Sequence, residues 1–594
     1  MQKTFIFVLV IFGFNFGYAQ NNEILANSYY KKGEFKKALI IYKNLNKEKP
    51  YSYKYIYKIV DTHQQLEQYD EAEHLLIQRL AKHQNPSLLI ELGYNFQLKD
   101  SINKAKKIYD DVISLIDEKP NYIYSIAKKF EDHSLLDEAI SVYNKGKLLT
   151  PDKNYSIQLA RIYGDQGKIE KMFSSYIEYI AYKPNYINNI KRSISDFISE
   201  NRTNENNIFL RRALLKKIQQ EPNEYWYEML SWLFVQEKAY NKSFIQEKAL
   251  YKRNPESLDR IIELAVTARI DNDDETAITI FNFILETTQD AVTAITAHQY
   301  ILEIQTKNAS AKELKRIDEA YNTLFDDFGK SELTLPLQLA YGKFLAFHQK
   351  ETNNAVPFLR KSLTLNISQF QQAKVKLLLA DILVLQEKFN EALIFYSQIQ
   401  ANLKNSTISQ EARFKVAKTS YYKGDFDWAE SQLKILKSST SQLIANDALD
   451  LKLLISDNKF EDSTQTALRY YAKADLFAFQ NKTDAAIALL NRILNEHTGE
   501  SITDQALYQQ AKLYEKKKQY NKAEANYQLI IKDWKEDILA DDAHYYLAEL
   551  YNTHLAKPEE AKQLYEKIIF DFEDSIFFID ARKKFRTLRG DAIN

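Results

Sequence analysis

Residues 86–119 read PSLLIELGYNFQLKDSINKAKKIYDDVISLIDEK, and this stretch decides the fold. Its first half places a large apolar residue before a small one, Leu92-Gly93, with a ring three residues later at Phe96. After a polar break at Asp100 come Ile102, the compact Ala105 and the ring of Tyr109. Spacings of three and four put each set on one helix face. The small residues let the two helices approach closely, and the rings fill the space beside them. Pro120 then stands where Pro86 stood, and the pattern starts again.

It recurs along the chain. The large-small pair returns at Leu25-Ala26, Ile59-Val60, Ile126-Ala127 and Leu159-Ala160, and the ring at Tyr29, His63, Phe130 and Tyr163. Turns fall at Gly33, Glu67, Ser134 and Gly167. Second helices open at Phe35, Tyr69, Leu136 and Ile169. They carry a compact side chain at Ala38, Ala72 and Ala139 (Met172 is the exception) and, with Leu76 as the exception, a ring at Tyr42, Tyr143 and Tyr176. Seven prolines, Pro50, Pro86, Pro120, Pro151, Pro184, Pro222 and Pro255, mark the rungs. A fixed period near 34 residues is the mark of stacked helix pairs.

The pattern resembles the tetratricopeptide repeat. The resemblance implies an all-α, right-handed superhelical solenoid of antiparallel helix pairs that binds protein or peptide. Five repeats from Asn22 to about Lys183 match well; two more centre on Ser243 and Ala277, with a degenerate repeat and a polar loop, Asn201 to Asn207, before them. Beyond about residue 295 the period lengthens. Ala355, Ala392 and Ala429 are 37 apart, and Ala486, Ala523 and Ala561 are 37 and 38 apart. The last third, with openings such as Asp504-Gln505-Ala506-Leu507-Tyr508, is similar to the repeats of bacterial envelope-assembly and division-coordination proteins. The expected organisation is a signal peptide at 1–19, a repeat array of about eight units at 20–290, an irregular helical connector at 291–350 and an array of longer repeats at 351–590. Residues 440–480 also break the frame.

Composition supports a folded chain and narrows its chemistry. Charged residues make up 27% and apolar ones 45% of the 594, the balance of a soluble fold rather than a disordered segment. Lys plus Arg equals Asp plus Glu at 80 each, so no global basic field draws the chain to nucleic acid. With no cysteine, disulfides, thiol nucleophiles and thiolate metal sites are excluded. At the N-terminus, Lys3 precedes an uncharged run from Thr4 to Ala19, closed by Gly17-Tyr18-Ala19. That order is the one of a secretory signal peptide cut after Ala19. A transmembrane anchor is the rival, but the run is shorter than the ~20 apolar residues that span a bilayer. No cysteine follows the cut, so a lipoprotein anchor is excluded. The expected location is the periplasm of a Gram-negative bacterium or the medium, with no integral membrane segment left after cleavage.

Catalytic signatures are missing. There is no phosphate-cradling loop, dinucleotide fingerprint or nucleophile elbow. His63, His74 and His83 fall at repeat-helix positions rather than metal-ligand spacing. Asp271, Asp273 and Glu275 have the acidic spacing of a calcium loop without its glycine. The basic tail Arg582, Lys583, Lys584, Arg586 and Arg589 reads as the solvated face of a last helix, or as a contact for anionic lipid or peptidoglycan. No catalytic residue, cofactor or metal is expected, and a hydrolase with an unrecognised site is a remote alternative.

In the tetratricopeptide frame the exposed first-helix positions face an inner groove. They map to Asn27 and Tyr30, then Lys54, Tyr57 and Asp61, then Ile90, Tyr94 and Gln97. Asn121, Tyr124 and Lys128 follow, then Asn154 and Arg161. Asn amides suit a peptide backbone and Tyr rings offer contact area at low entropy cost; the alternative is a set of solvated surface tyrosines. The expected function is an exported, non-enzymatic scaffold holding a protein or extended peptide in that groove, or else a structural accessory of an envelope-assembly or export complex.

Overall fold

The computed structural model describes residues 22–436, 441–459 and 464–591. The proposed leader, residues 1–19, lies outside the described residues. Antiparallel α-helices follow one another along the chain, and no strand occurs among the described residues. The chain forms two compact units, the first ending at Ala239 and the second beginning at Tyr240.

Within the first unit, pairs follow the sequence frame. Tyr53–Gln65 packs on Tyr69–Leu80, Pro86–Leu98 on Ile102–Glu118, Ile123–Asp132 on Leu136–Leu149, and Ser156–Asp165 on Ile169–Tyr182. The compact positions Ala38, Ala72, Ala105 and Ala139 are 0–1% exposed, so the second helix lies flush on the first. The adjacent tyrosine is buried at its ring, and its hydroxyl reaches back to the first helix of its own pair. Tyr42 donates to Asn27 at 2.8 Å, Tyr109 to Gln97 at 3.1 Å and Tyr143 to Glu131 at 2.7 Å. Each ring therefore fills the pair's interior without leaving a buried hydroxyl unpaired.

The turn inside each pair is also uniform. Gly33, Glu67, Asp100, Ser134 and Gly167 all have left-handed backbone, with φ from 56° to 75°. The next residue's N–H donates back to the carbonyl of the first-helix ring residue: Glu34 to Tyr29, Gln68 to His63, Ser101 to Phe96, Leu135 to Phe130 and Lys168 to Tyr163. That bond closes the helix and starts its partner at a set angle. Glycine takes this conformation freely, whereas a residue with a Cβ is strained there by about 1–2 kcal/mol.

The degenerate stretch keeps a shorter polar loop than its sequence indicates. The helix Glu205–Gln220 begins inside it, and Asn207 is fully buried, its amide donating to the Ser199 carbonyl at 2.6 Å.

In the second unit the longer period between Ala355 and Ala429 goes with longer first helices. The first helices Gln369–Leu385 and Thr407–Lys423 have 17 residues, against 13 in Tyr53–Gln65 and Pro86–Leu98. The tyrosine lock persists: Tyr396 donates to Asp381, Tyr527 to Glu515 and Tyr565 to Glu549. Residues 291–350 hold regular helices, Ala291–Thr306, Ala311–Phe328 and Leu335–Phe347, the first two of 16 and 18 residues. The frame break at 440–480 comes from an inserted helix, Gln442–Asn458, which packs on Phe426–Leu436. The next first helix, Thr466–Phe479, packs past it directly on Thr407–Lys423.

Two substitutions test the packing and the turn. A methyl at Gly93 would overlap the Tyr109 ring, so Gly93→Ala should lower stability by about 1–3 kcal/mol. Ser134→Gly relieves a strained turn and should raise it by about 0.5–1 kcal/mol. Urea unfolding midpoints should move in opposite directions; the same sign for both would refute the assigned register.

Candidate functional site

In the first unit, Tyr53–Gln65, Pro86–Leu98 and Ile123–Asp132 together line a groove of about 570 Å³. Its walls carry Lys54, Tyr57, Lys58, Asp61, Glu91, Tyr94, Lys129 and His133. At its base is Glu91, only 3% exposed. One carboxylate oxygen pairs with Lys129, and the other lies 3.3 Å from His133 Nε2. Both partners come from the neighbouring repeat, so the contact ties the third repeat to the fourth. Burial alone would raise the Glu91 carboxyl, but His133 and Lys129 outweigh it and hold the group below the ordinary glutamate value.

Aromatic rings frame this charge. Tyr94 stacks on His133 with centroids 4.0 Å apart and planes at 23°. Lys129 Nζ sits 4.5 Å from the centre of the Tyr57 ring, adding a cation–π contact to its ion pair. Burial pushes the Tyr57 hydroxyl up to about 12, so it stays a neutral hydrogen-bonding group at any physiological pH. Burial also raises the Asp61 carboxyl, opposed by hydrogen bonding to Tyr30 and by the charge of Lys58. Lys58 lies 5.2 Å over the Tyr30 ring, and Lys54 pairs with Glu23. The groove thus offers half-buried rings, cations and three carboxylates, Asp61, Glu91 and Asp132, within one cleft.

Of the thirteen positions expected in the groove, Lys54, Tyr57, Asp61 and Tyr94 line it, and Tyr30 stands beside Asp61. Ile90 does not: it is 0% exposed and belongs to the core with Ala105 and Tyr109, a correction to the expected frame. Asn27 and Gln97 accept the tyrosine locks, and Asn154 accepts the Ser156 N–H at 2.9 Å, so these amides are engaged within the chain. Lys128 pairs with Asp132 at 3.1 Å and Glu131 at 3.4 Å on the rim. Asn121, Tyr124 and Arg161 are exposed outside the cleft.

Sequence reasoning missed Glu91, Lys129 and His133. In the third and fourth repeats the groove stripe runs through 91, 94 and 98 and through 129, 132 and 133, one residue on from the expected 90, 97 and 128. One residue is about 100° around a helix, enough to turn a wall residue into the core. The available signal was an acid, Glu91, set between Ile90 and Leu92 in an apolar run.

Residues 505–536 match the family model of the Tetratricopeptide repeat. They cover most of the pair Thr503–Lys516 and Tyr520–Asp533, and pairs with the same alanine, tyrosine and left-handed turn recur in both units. The chain carries a tetratricopeptide repeat within an all-α array of helix pairs of the same type, a class of fold that serves protein–protein interaction. No curated protein sequence matches it significantly. Among solved structures, a chain from the structure of Naa15/Naa10 bound to HypK-THB is 12% identical, with 96% of this chain and 97% of that chain covered and a TM-score of 0.31. A chain of the APC/C hetero-tetramer Cut9-Hcn1 is 13% identical, with 96% of each covered and a TM-score of 0.24. Among the described residues no helix is long and apolar enough to cross a membrane.

Replacing Glu91 tests the base of the groove. Glu91→Gln removes one partner of a buried pair and should cost roughly 2–4 kcal/mol at pH 7. Because the folded carboxyl is depressed, its contribution is fully present above the ordinary value of 4.5 and is lost as the pH falls through the folded value. Unfolding curves of the two proteins should be well separated at pH 7 and draw together as the pH falls below 4.5 and through the depressed folded value. A constant gap across that range would mean that packing, not charge, sets the cost.

Proposed function

We propose that the chain is an exported, non-enzymatic scaffold that holds an extended segment of a partner protein across the groove of its first unit. The supporting observation is the convergence of Tyr57, Tyr94, Lys129 and His133, from three successive first helices, on one cleft built over the buried Glu91. Half-buried aromatic rings with a fixed polar partner give contact area at little entropic cost. The groove's balanced charges suit a segment carrying both a polar side chain and an apolar one, rather than a polyanion. A structural role inside an envelope-assembly complex is the second reading, favoured by the resemblance of the longer C-terminal repeats.

The groove reading is tested by crosslinking in cells, identification of the co-purifying partner and binding of that partner to variants. Tyr57→Ala with Tyr94→Ala should weaken binding about tenfold or more. Tyr124→Ala, exposed outside the cleft, should leave it unchanged. Equal effects from both would remove the groove from consideration and turn attention to the second unit.

Export rests on Lys3, the uncharged run and Gly17-Tyr18-Ala19. The mature chain, recovered from the periplasm or the medium, should begin at or near Gln20 by N-terminal sequencing. Full-length protein starting at Met1 in the cytosolic fraction would refute this part of the reading.

A further inference from the structure

The inner wall of the second unit already holds one helix, and it belongs to the chain itself. Because Gln442–Asn458 is inserted ahead of it, Thr466–Phe479 reaches back over first helices several repeats earlier. Phe479 meets Phe347 of Leu335–Phe347 at 6.1 Å and Tyr422 of Thr407–Lys423 at 6.3 Å between ring centres. The Gln480 amide donates to the Leu385 carbonyl at 3.0 Å. Two ion pairs complete the seat, Lys473 with Glu387 at 2.7 Å and Lys418 with Asp475 at 2.5 Å. Ordinary solenoid repeats contact only their neighbours. Here contacts span 57 to 132 residues, and they show what this wall accepts: a helix presenting an aromatic side chain flanked by charges.

Only part of the wall is filled. Continuous with the seated helix, and sharing Phe347 with it, an apolar trough of about 480 Å³ runs across the same three first helices. Phe370, Leu377 and Ile408 line it, and Phe370 is 49% exposed. Lys343 and Lys374 stand on it, and neither has a carboxylate within ion-pair distance among the described residues. By contrast Asp381, at the same wall, is neutralised by Lys415 at 2.8 Å. Glu411 lines the far end of the trough, its carboxyl raised above the ordinary glutamate value by burial. The trough therefore presents a strip of rings and aliphatic side chains with two lysines outside any ion pair, Lys374 lying 5.2 Å over the Phe370 ring.

We propose that this trough is a second binding site, and that its occupant is an acidic amphipathic helix of a partner protein laid alongside Thr466–Phe479. The seated helix supplies the mode of binding, and the unpaired lysines supply the sign of the partner's charge. An apolar stripe at helical spacing would cover Phe370, Leu377 and Ile408, while carboxylates would reach Lys343 and Lys374. This site lies in the second unit and stands or falls independently of the groove over Glu91.

The test uses the full chain and fluorescent synthetic helices of about 20 residues, long enough to hold helical structure. One peptide carries Leu and Phe on one face and Glu on the other; its twin has Lys for every Glu; a third has a central proline. Fluorescence anisotropy should show the acidic helix binding at least about tenfold more tightly than either of the others. Lys343→Glu with Lys374→Glu should abolish that preference, Lys343→Arg with Lys374→Arg should keep it, and Phe370→Ala should weaken the acidic helix alone. Tyr57→Ala with Tyr94→Ala should change nothing. Circular dichroism confirms that each variant is folded; if the glutamate pair misfolds, Lys343→Gln with Lys374→Gln takes its place. Equal binding of the acidic and basic helices, full binding of the proline peptide, or no binding at all would each overturn the proposal. So would sedimentation showing a dimer that Phe370→Ala dissociates, which would make a second copy the occupant.

Discussion

The rest of the structure depends on the close seating of the two helices in a pair, fixed in many pairs by a tyrosine lock. A compact residue, Ala105 for example, lets the backbones close, and a tyrosine four positions on, Tyr109, fills the pair and ties its hydroxyl to the first helix. The ring brings a large apolar area and the hydroxyl brings an orientation, so one side chain sets both distance and rotation. A leucine can do the first job but not the second, and Leu76, Leu359, Leu433 and Leu490 do so in their pairs. The left-handed turn then sets where the second helix begins, at residues as varied as Glu67, Asp100 and Gly167. Uniform pairs stack uniformly, and a wall of first helices results.

Function follows from what that wall leaves over. Interior positions are committed to alanine, rings and tyrosine locks, so groove chemistry is confined to one stripe on each first helix. In the first unit the stripe carries an inter-repeat charge cluster, with Glu91 held by Lys129 and His133 and covered by Tyr57 and Tyr94. In the second unit the corresponding wall is apolar and partly taken by the chain's own helix. One architecture thus presents two chemically different surfaces, because the stripe is free to vary while the buried positions stay apolar or aromatic.

Much of this was legible in the sequence, since repeats confess their period. Ala38, Ala72, Ala105 and Ala139 sit at 0–1% exposure as their spacing requires, and the turn residues Gly33 through Gly167 share one backbone conformation. The site was legible only in part. Tyr57, Asp61 and Tyr94 were placed on the wall, but Ile90 turned into the core and Glu91 out toward the groove. On a helix apolar nearly all round, Leu88 to Leu92, hydrophobicity does not tell which face meets the next repeat.

The sequence by itself determined the class of fold, the helix pairing and the identity of the packing residues, because these depend on contacts between residues near in the chain and repeat many times. Only the tertiary structure decided the rotation of each first helix, the partnership of Glu91 with Lys129 and His133, and the seating of Thr466–Phe479 on Phe347 and Tyr422. Those depend on angles that accumulate from repeat to repeat and on one inserted helix. A local pattern, however regular, does not carry such sums.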